Sequence, residues 1–159
     1  MAIDTTKYIG KDVVLDVYFA DPSGSTRPAS NDYVPVGALR TKDMTIEYET
    51  VDVTADDSSG GVRENLTTFK SFSVTGDGTA KKADDTLSNQ TALFKYTVNP
   101  TSGTPCAWVR LTYPDVTIEC FCILTNASRS GAYDDVVTFN FNAQSTSSDF
   151  GIIVEDTAV

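Results

Sequence analysis

The chain has no histidine. That removes Ser-His-Asp and Cys-His nucleophile arrangements, and every imidazole metal ligand, in one step. Basic residues are scarce: 12 Lys plus Arg stand against 22 Asp plus Glu, a formal charge of −10. So acidic a chain has few cations with which to displace counterions from phosphates, which argues against wrapping nucleic acid. Glutamate is scarce as well, 5 against 17 aspartates. Asp favours turns and caps, where Glu favours helix interiors. Long apolar runs are missing, and none approaches the roughly 18 residues of a membrane-spanning helix. Met1 to Gly10 carries Asp4 and Lys7 and no apolar h-region, so no secretory signal is expected. Without that route the sequons at Asn65, Asn89 and Asn126 read only as polar surface.

The three cysteines, Cys106, Cys120 and Cys122, are an odd number and do not read as a disulfide framework. On a strand, Cys120 and Cys122 share a face with Val116, Ile118 and Leu124. They read as buried structural thiols, not as a metal site. Trp108, the only tryptophan, alternates with Cys106, Arg110 and Thr112 and is expected to be a packed or interface aromatic.

What is present is period-two alternation over 159 residues, enough chain for one domain with a core. Val13 to Phe19 reads as a strand ended by the turn cluster Asp21-Pro-Ser-Gly-Ser25. Tyr33 to Arg40 is a second extended piece, with Pro35 marking an edge or irregular position. Met44 to Thr54 alternates cleanly until Val51 and Val53 appear on the Glu47 side, which predicts a bulge or bend near Thr50. Thr67 to Thr75 is the next strand, ended by Gly76-Asp77-Gly78. Between these two lies Ala55 to Leu66, far longer than the two to five or so residues that usually join a hairpin. A loop that long needs a function or a partner to hold it. One helix is predicted over about 84–98. Asp84 or Asp85 would cap it, Leu87, Thr91, Phe94 and Val98 would form its periodic face, and Asn99-Pro100 would end it. Strands follow at Cys106 to Tyr113, Val116 to Thr125 and Asp134 to Gln144, then a short apolar segment, Gly151 to Val154. About seven strands with one inserted helix predict a mainly β fold: one β-sandwich or open-barrel domain over 1–159.

Catalytic patterns do not emerge. Gly76 to Lys82 lacks the spacing of a phosphate loop. Asp56-Asp57-Ser-Ser-Gly60 lacks the order and the terminal Glu of a calcium loop. Asp84-Asp85 and Asp134-Asp135 each begin an element, where capping and solvation account for them. No enzyme activity, cofactor or metal is expected.

The stretch from Tyr48-Glu-Thr-Val-Asp-Val-Thr54, through Ser58-Ser-Gly-Gly-Val-Arg-Glu-Asn-Leu66, to Phe69-Lys-Ser-Phe-Ser-Val-Thr-Gly76 resembles the major tail tube proteins of long, non-contractile bacteriophage tails. Their shared run is a D-x-T, a short polar stretch with Gly, R-E-x-L, and a strand ending in Gly. Asp52, Thr54, Gly60 or Gly61, Arg63, Glu64, Leu66 and Gly76 match it. Gly37-Ala-Leu-Arg40 fits the family's V-G-G-L-R lead-in, with Ala38 where Gly is frequent. The resemblance implies a virion protein made in the host bacterial cytoplasm, whose copies form stacked hexameric rings. Strands from six copies would close an inner barrel through which DNA passes without specific binding. It implies initiator or tip, tape-measure and terminator proteins as partners, and no membrane. The long loop, with Asp56, Asp57, Gly60, Gly61, Arg63, Glu64 and Leu66, would reach the neighbouring ring. Glu47, Glu49, Lys70, Thr138, Asn140 and Asn142 are the candidate lumen face. Two other readings stay open: an immunoglobulin-like surface-binding module with Ala55 to Leu66 as its recognition loop, and a tail-terminator or connector ring that does not polymerise.

Overall fold

The computed structural model describes residues 9–37, 39–57, 59–80, 89–101 and 103–157. In chain order the elements are β1 (Val14–Tyr18), β2 (Val34–Pro35), β3 (Leu39–Asp52), β4 (Asn65–Thr79), α1 (Gln90–Val98), β5 (Cys106–Thr112), β6 (Val116–Ser130), β7 (Thr138–Ser145) and β8 (Ile152–Asp156). The mainly β expectation holds. All eight strands belong to one antiparallel sheet that does not close into a barrel.

The sheet runs β2-β1-β5-β6-β7-β4-β3, with β8 added on β6. β6 organises it. One side of β6 pairs with β5 over Thr117–Ile123. Its other side pairs first with β8 over Val116–Cys120 and then with β7 over Cys122–Ser130. β7 and β8 therefore lie end to end, in the same direction, along one neighbour. The excursion 146–151 separates them, and Gly151 turns it with a left-handed backbone, φ 64°.

Several boundaries differ from the sequence reading. Gly76-Asp77-Gly78, expected to turn the chain after the fourth strand, instead lie inside β4, paired with both β3 and β7. β6 runs on to Ser130, five residues past its expected end at Thr125, because Asn126–Ser130 pair with β7. The second extended piece is only the two-residue edge strand β2, which suits a proline without an N–H to donate. Leu39 and Arg40 already belong to β3. β7 starts at Thr138, because Asp134 to Val137 lie exposed in the connection from β6. The helix is described from Gln90 onward, and Asp84, Asp85 and Leu87 lie outside the described residues. Its buried face is Gln90, Leu93 and Tyr96, while Val98 is exposed. Two polar anchors set that rotation. The Gln90 amide donates to the carbonyls of Gly37 (2.8 Å) and Thr79 (3.0 Å), and the Tyr96 hydroxyl donates to that of Cys106 (2.5 Å).

One core cluster takes alternate residues from each strand: Leu15 and Val17, Phe72 and Val74, Val109 and Leu111, Cys120 and Cys122, Phe139 and Phe141, with Leu93 of the helix. The paired thiols are buried as expected, and hydrogen bonding to Cys120 together with burial pushes the Cys122 thiol up. On the opposite face of the β1-β5-β6 region, Trp108, Tyr33 and Phe121 form a smaller cluster. The Trp108 indole N–H donates to the Ser23 carbonyl at 2.9 Å, pinning the loop after β1 over it.

Gly76 faces Phe141 across the β4–β7 ladder. A Cβ there would lie 2.5 Å from the Phe141 ring and 3.2 Å from the Leu39 side chain. Gly76→Ala is expected to cost about 1–3 kcal/mol through overpacking. Urea denaturation checks it; a midpoint unchanged from the parent would show that the ring gives way freely.

Candidate assembly surface

The four strands β3, β4, β7 and the outer half of β6 carry a face opposite the core. Its rungs read directly from the register. Thr45 pairs with Ser73, and Ser73 with Gln144. Asp43 pairs with Thr75, Thr75 with Asn142 and Asn142 with Asn126. Thr41 pairs with Asp77, Asp77 with Asn140 and Asn140 with Ser128. Thr79 pairs with Thr138, and Thr138 with Ser130. Glu47 pairs with Ser71 on the same side. These side chains also bond one another: Thr75 Oγ1 donates to Asn142 Oδ1 (2.8 Å) and Ser128 Oγ to Asn140 Oδ1 (2.5 Å). The rungs hold the carboxylates Asp43, Glu47 and Asp77 and no cation.

Three of the four cations of these strands are turned away. Lys42 donates to the Val13 carbonyl at 2.6 Å, and the Arg129 guanidinium lies 5.4 Å from the centroid of the Phe94 ring. Lys70 pairs with Tyr48, on the side of Phe72 and Val74. Arg40 sits at the irregularity between Leu39 and Thr41. Of the expected lumen residues, Glu47, Glu49, Thr138, Asn140 and Asn142 share one side and Lys70 does not join them. Pleat parity, not polarity, decides this, because Lys70 is two residues from Phe72. The rungs also include Asp43, Asp77, Asn126 and Ser128, which the sequence reading missed. Their signal is the cross-strand register, which a single strand does not display.

This face ends at two open edges. Among the described residues β3 pairs only with β4. Beyond Ile123, β6 has β7 on one side and, among the described residues, no strand on the other, because β5 stops at Cys106.

The β3–β4 hairpin runs past the sheet. β4 meets β7 only from Ser73 outward to Thr79, and Ser145 Oγ accepts the Phe72 N–H at 3.0 Å where that pairing ends. Beyond it the two strands pair only with each other. At Glu49 the register shifts: Tyr48 faces Lys70 but Thr50 faces Thr67, so Thr68 and Phe69 oppose one residue. This bulge lies where the sequence placed it, but it switches no buried face, since both faces are exposed. Phe69 is 74% exposed, Leu66 60%, Tyr48 59% and Val51 49%. An isolated two-stranded ribbon is marginal in water, and this much unpartnered apolar surface marks an interaction site.

The connection spans 53–64, two residues earlier than the sequence placed it; Leu66 is already in β4. Gly60 (φ 69°) and Gly61 (φ 67°) make its reversal in left-handed conformations. Asp56, Asp57 and Val62 are exposed at the tip. The Arg63 guanidinium points to Asp52 of its own neck at 3.9 Å, and Glu64 offers its backbone to that neck.

A cleft of about 580 Å³ lies on the far side of the β5-β6-β8 region, between Arg27, Arg110, Glu119, Glu155 and Thr157. Four of its charges are paired. Arg110 binds Asp16 (2.8 Å) and stacks 4.3 Å over the Tyr33 ring. Arg27 forks onto Glu119 and reaches Glu155, whose carboxyl its hydrogen bond holds below the usual range. Burial, then the charge of Glu119, push the Tyr33 phenol up. Among the described residues no group of His, Cys, Asp and Glu is placed to hold a metal ion, and no helix is long and apolar enough to cross a membrane.

Residues 8–148 match the phage tail tube protein family. The chain belongs to that family. It is thus a structural component of a phage-type tail tube, and the resemblance carried by Asp52, Thr54, Arg63 and Gly76 is borne out. Among solved structures, the tail of an empty gene transfer agent particle refined with C6 symmetry superposes with a TM-score of 0.70 at 22% identity, covering 96% of this chain and 100% of that one. The native gene transfer agent virion gives 0.70 at 20% identity, with the same coverage. The SPP1 tail tube gives 0.63 at 12% identity, covering 96% of this chain and 81% of its own. At these identities the likeness is one of fold. No curated protein sequence matches the chain.

Proposed function

We propose that this tail tube protein assembles from six copies into rings that stack into a tube, with the polar rungs of β6, β7, β4 and β3 facing the lumen. The carrying observation is that face: three carboxylates, an array of Ser, Thr and Asn, three of the four strand cations turned the other way, and an open strand edge on each side. An open edge is a template for another strand. The free edge of β3 in one copy pairs with Asn126–Ser130 of β6 in the next, and closing the ring leaves neither of these two edges unpaired. DNA carries one charge per roughly 1.7 Å of axis. Carboxylates without cations repel it, so the genome slides without adhering. The exposed hairpin reaches the neighbouring ring. Initiator, tape-measure and terminator proteins meet the tube at its ends and inside, in a virion tail built from subunits made in the host cytoplasm.

The test is the double variant Glu47→Lys with Glu49→Lys. Tubes are expected to form, and genome ejection to slow at low salt and recover toward 1 M, where the screening length falls to about 3 Å. Ejection with unchanged rate and unchanged salt dependence would show that this face does not line the lumen. Electron microscopy separates stacked tubes from the isolated rings of a terminator and the monomers of a surface module.

A further inference from the structure

The twelve-position excursion between β3 and β4 is fastened at its neck by a closed set of bonds. Asp52 Oδ1 accepts the backbone N–H of Thr54 (2.9 Å) and the Thr54 hydroxyl (2.5 Å). With its proton committed to Asp52, Thr54 Oγ1 turns a lone pair toward Glu64 and accepts that residue's N–H at 2.9 Å. The Val53 N–H closes the set on the Glu64 carbonyl, also at 2.9 Å. Without Asp52 the hydroxyl has another orientation open to it, donating to the Glu64 carbonyl 3.4 Å away and leaving the Glu64 N–H without its acceptor.

We infer that Asp52 and Thr54 are positioning residues for the contact between rings. Their bonds fix the direction in which 53–64 leaves the hairpin, so that little ordering remains to be done when the loop meets its partner. The geometry supports this because the neck joins both ends of the loop through one side chain. The ribbon beneath it is exposed on both faces and supplies no packing that would do the same. Pre-ordering matters for assembly, since entropy lost on docking subtracts directly from affinity. It also accounts for the D-x-T and R-E spacing physically: Asp, Thr and the residue after Arg are the three corners of the neck. The inference rests on the loop reaching a neighbouring ring.

Thr54→Val and Asp52→Ala remove a corner; Thr54→Ser and Asp52→Asn keep the acceptors and hydroxyl. Two readouts are taken on the full chain: amide hydrogen exchange at Glu64 in the subunit, and tube yield by sedimentation with electron microscopy. The first pair is expected to speed exchange at Glu64 about tenfold, in keeping with one lost hydrogen bond. They should lower tube yield at limiting subunit concentration without changing the thermal midpoint. The second pair should behave like the parent. Unchanged exchange at Glu64 would show that the bonds do not hold the neck. Faster exchange with parental tube yield would overturn the positioning role. If instead deletion of the loop itself leaves tubes intact, the reading of the loop fails, and that result is separate from either of these.

Discussion

A chain lacking residues 58–62 is expected to fold as the parent does and to form no stacked tubes. The deletion removes Gly60, Gly61 and Val62 but leaves Asp52, Thr54, Arg63 and Glu64. None of Ser59, Gly60, Gly61 and Val62 is buried in the subunit. Shortening a surface loop changes closure entropy only slightly, so the thermal midpoint should stay within about 2 °C. Assembly is different. Val62 is 69% exposed in the free subunit. Burying one such side chain is worth about 1.5 kcal/mol, and six copies act on one ring seam together, giving about 9 kcal/mol. Each 1.4 kcal/mol is about tenfold in an equilibrium constant, so stacking should vanish at concentrations where the parent is fully polymerised. Arg63 and Glu64 are left in place deliberately, because exposed ion pairs contribute only about 0–1 kcal/mol. Rings held by strand edges should persist. Normal tubes from the deleted chain, seen by negative-stain microscopy, would remove the loop from the assembly scheme.

Arg27→Met is expected to be strongly destabilising for a change outside the core. The Arg27 guanidinium meets Glu119 through Nε (2.9 Å) and Nη2 (3.2 Å), and Glu155 through Nη1 (3.0 Å). The Glu119 side chain is only 8% exposed. Once Arg27 is gone, Glu119 keeps the long hydrogen bond from the Tyr33 hydroxyl, at 3.4 Å. Removing one partner of a buried pair leaves an uncompensated charge, at a cost near 3–5 kcal/mol when both are fully buried. Arg27 is 34% exposed, so solvent screening brings the expected loss to about 2–4 kcal/mol, or roughly 5–15 °C in thermal midpoint. Arg27→Met with Glu119→Leu should regain most of it, because the stranded carboxylate goes too. A double variant no more stable than the single would place the loss elsewhere, in the anchoring of β8 through Glu155.

The alternation of Met44 to Tyr48 and of Val137 to Gln144 located strands because pleat parity is local. The glycine pair, the turn cluster after β1 and the overlong connection were legible for the same reason: turn chemistry depends on a few adjacent residues. Gly76-Asp77-Gly78 has that chemistry too, yet it is strand, because β3 and β7 pair with it on both sides. The bulge near Thr50 showed as a break in parity. The helix rotation did not, since Leu87, Thr91, Phe94 and Val98 satisfy the periodicity while Leu93 and Tyr96 are what the sheet accepts. Nor did the side taken by Lys70, whose polarity pointed one way and whose neighbour Phe72 fixed the other.

By itself the sequence determined a mainly β chain of strong negative charge, with one loop too long to serve only its own hairpin, and it carried the spaced residues by which its family is known. Only the tertiary structure decided which strands adjoin, and with that the four-strand polar face, its open edges and the grip of Arg27 on Glu119. Those partners lie 92 residues apart in the chain. No local rule links them; the common core that buries one face of every strand brings them together, and what that core leaves outside is the surface available for assembly.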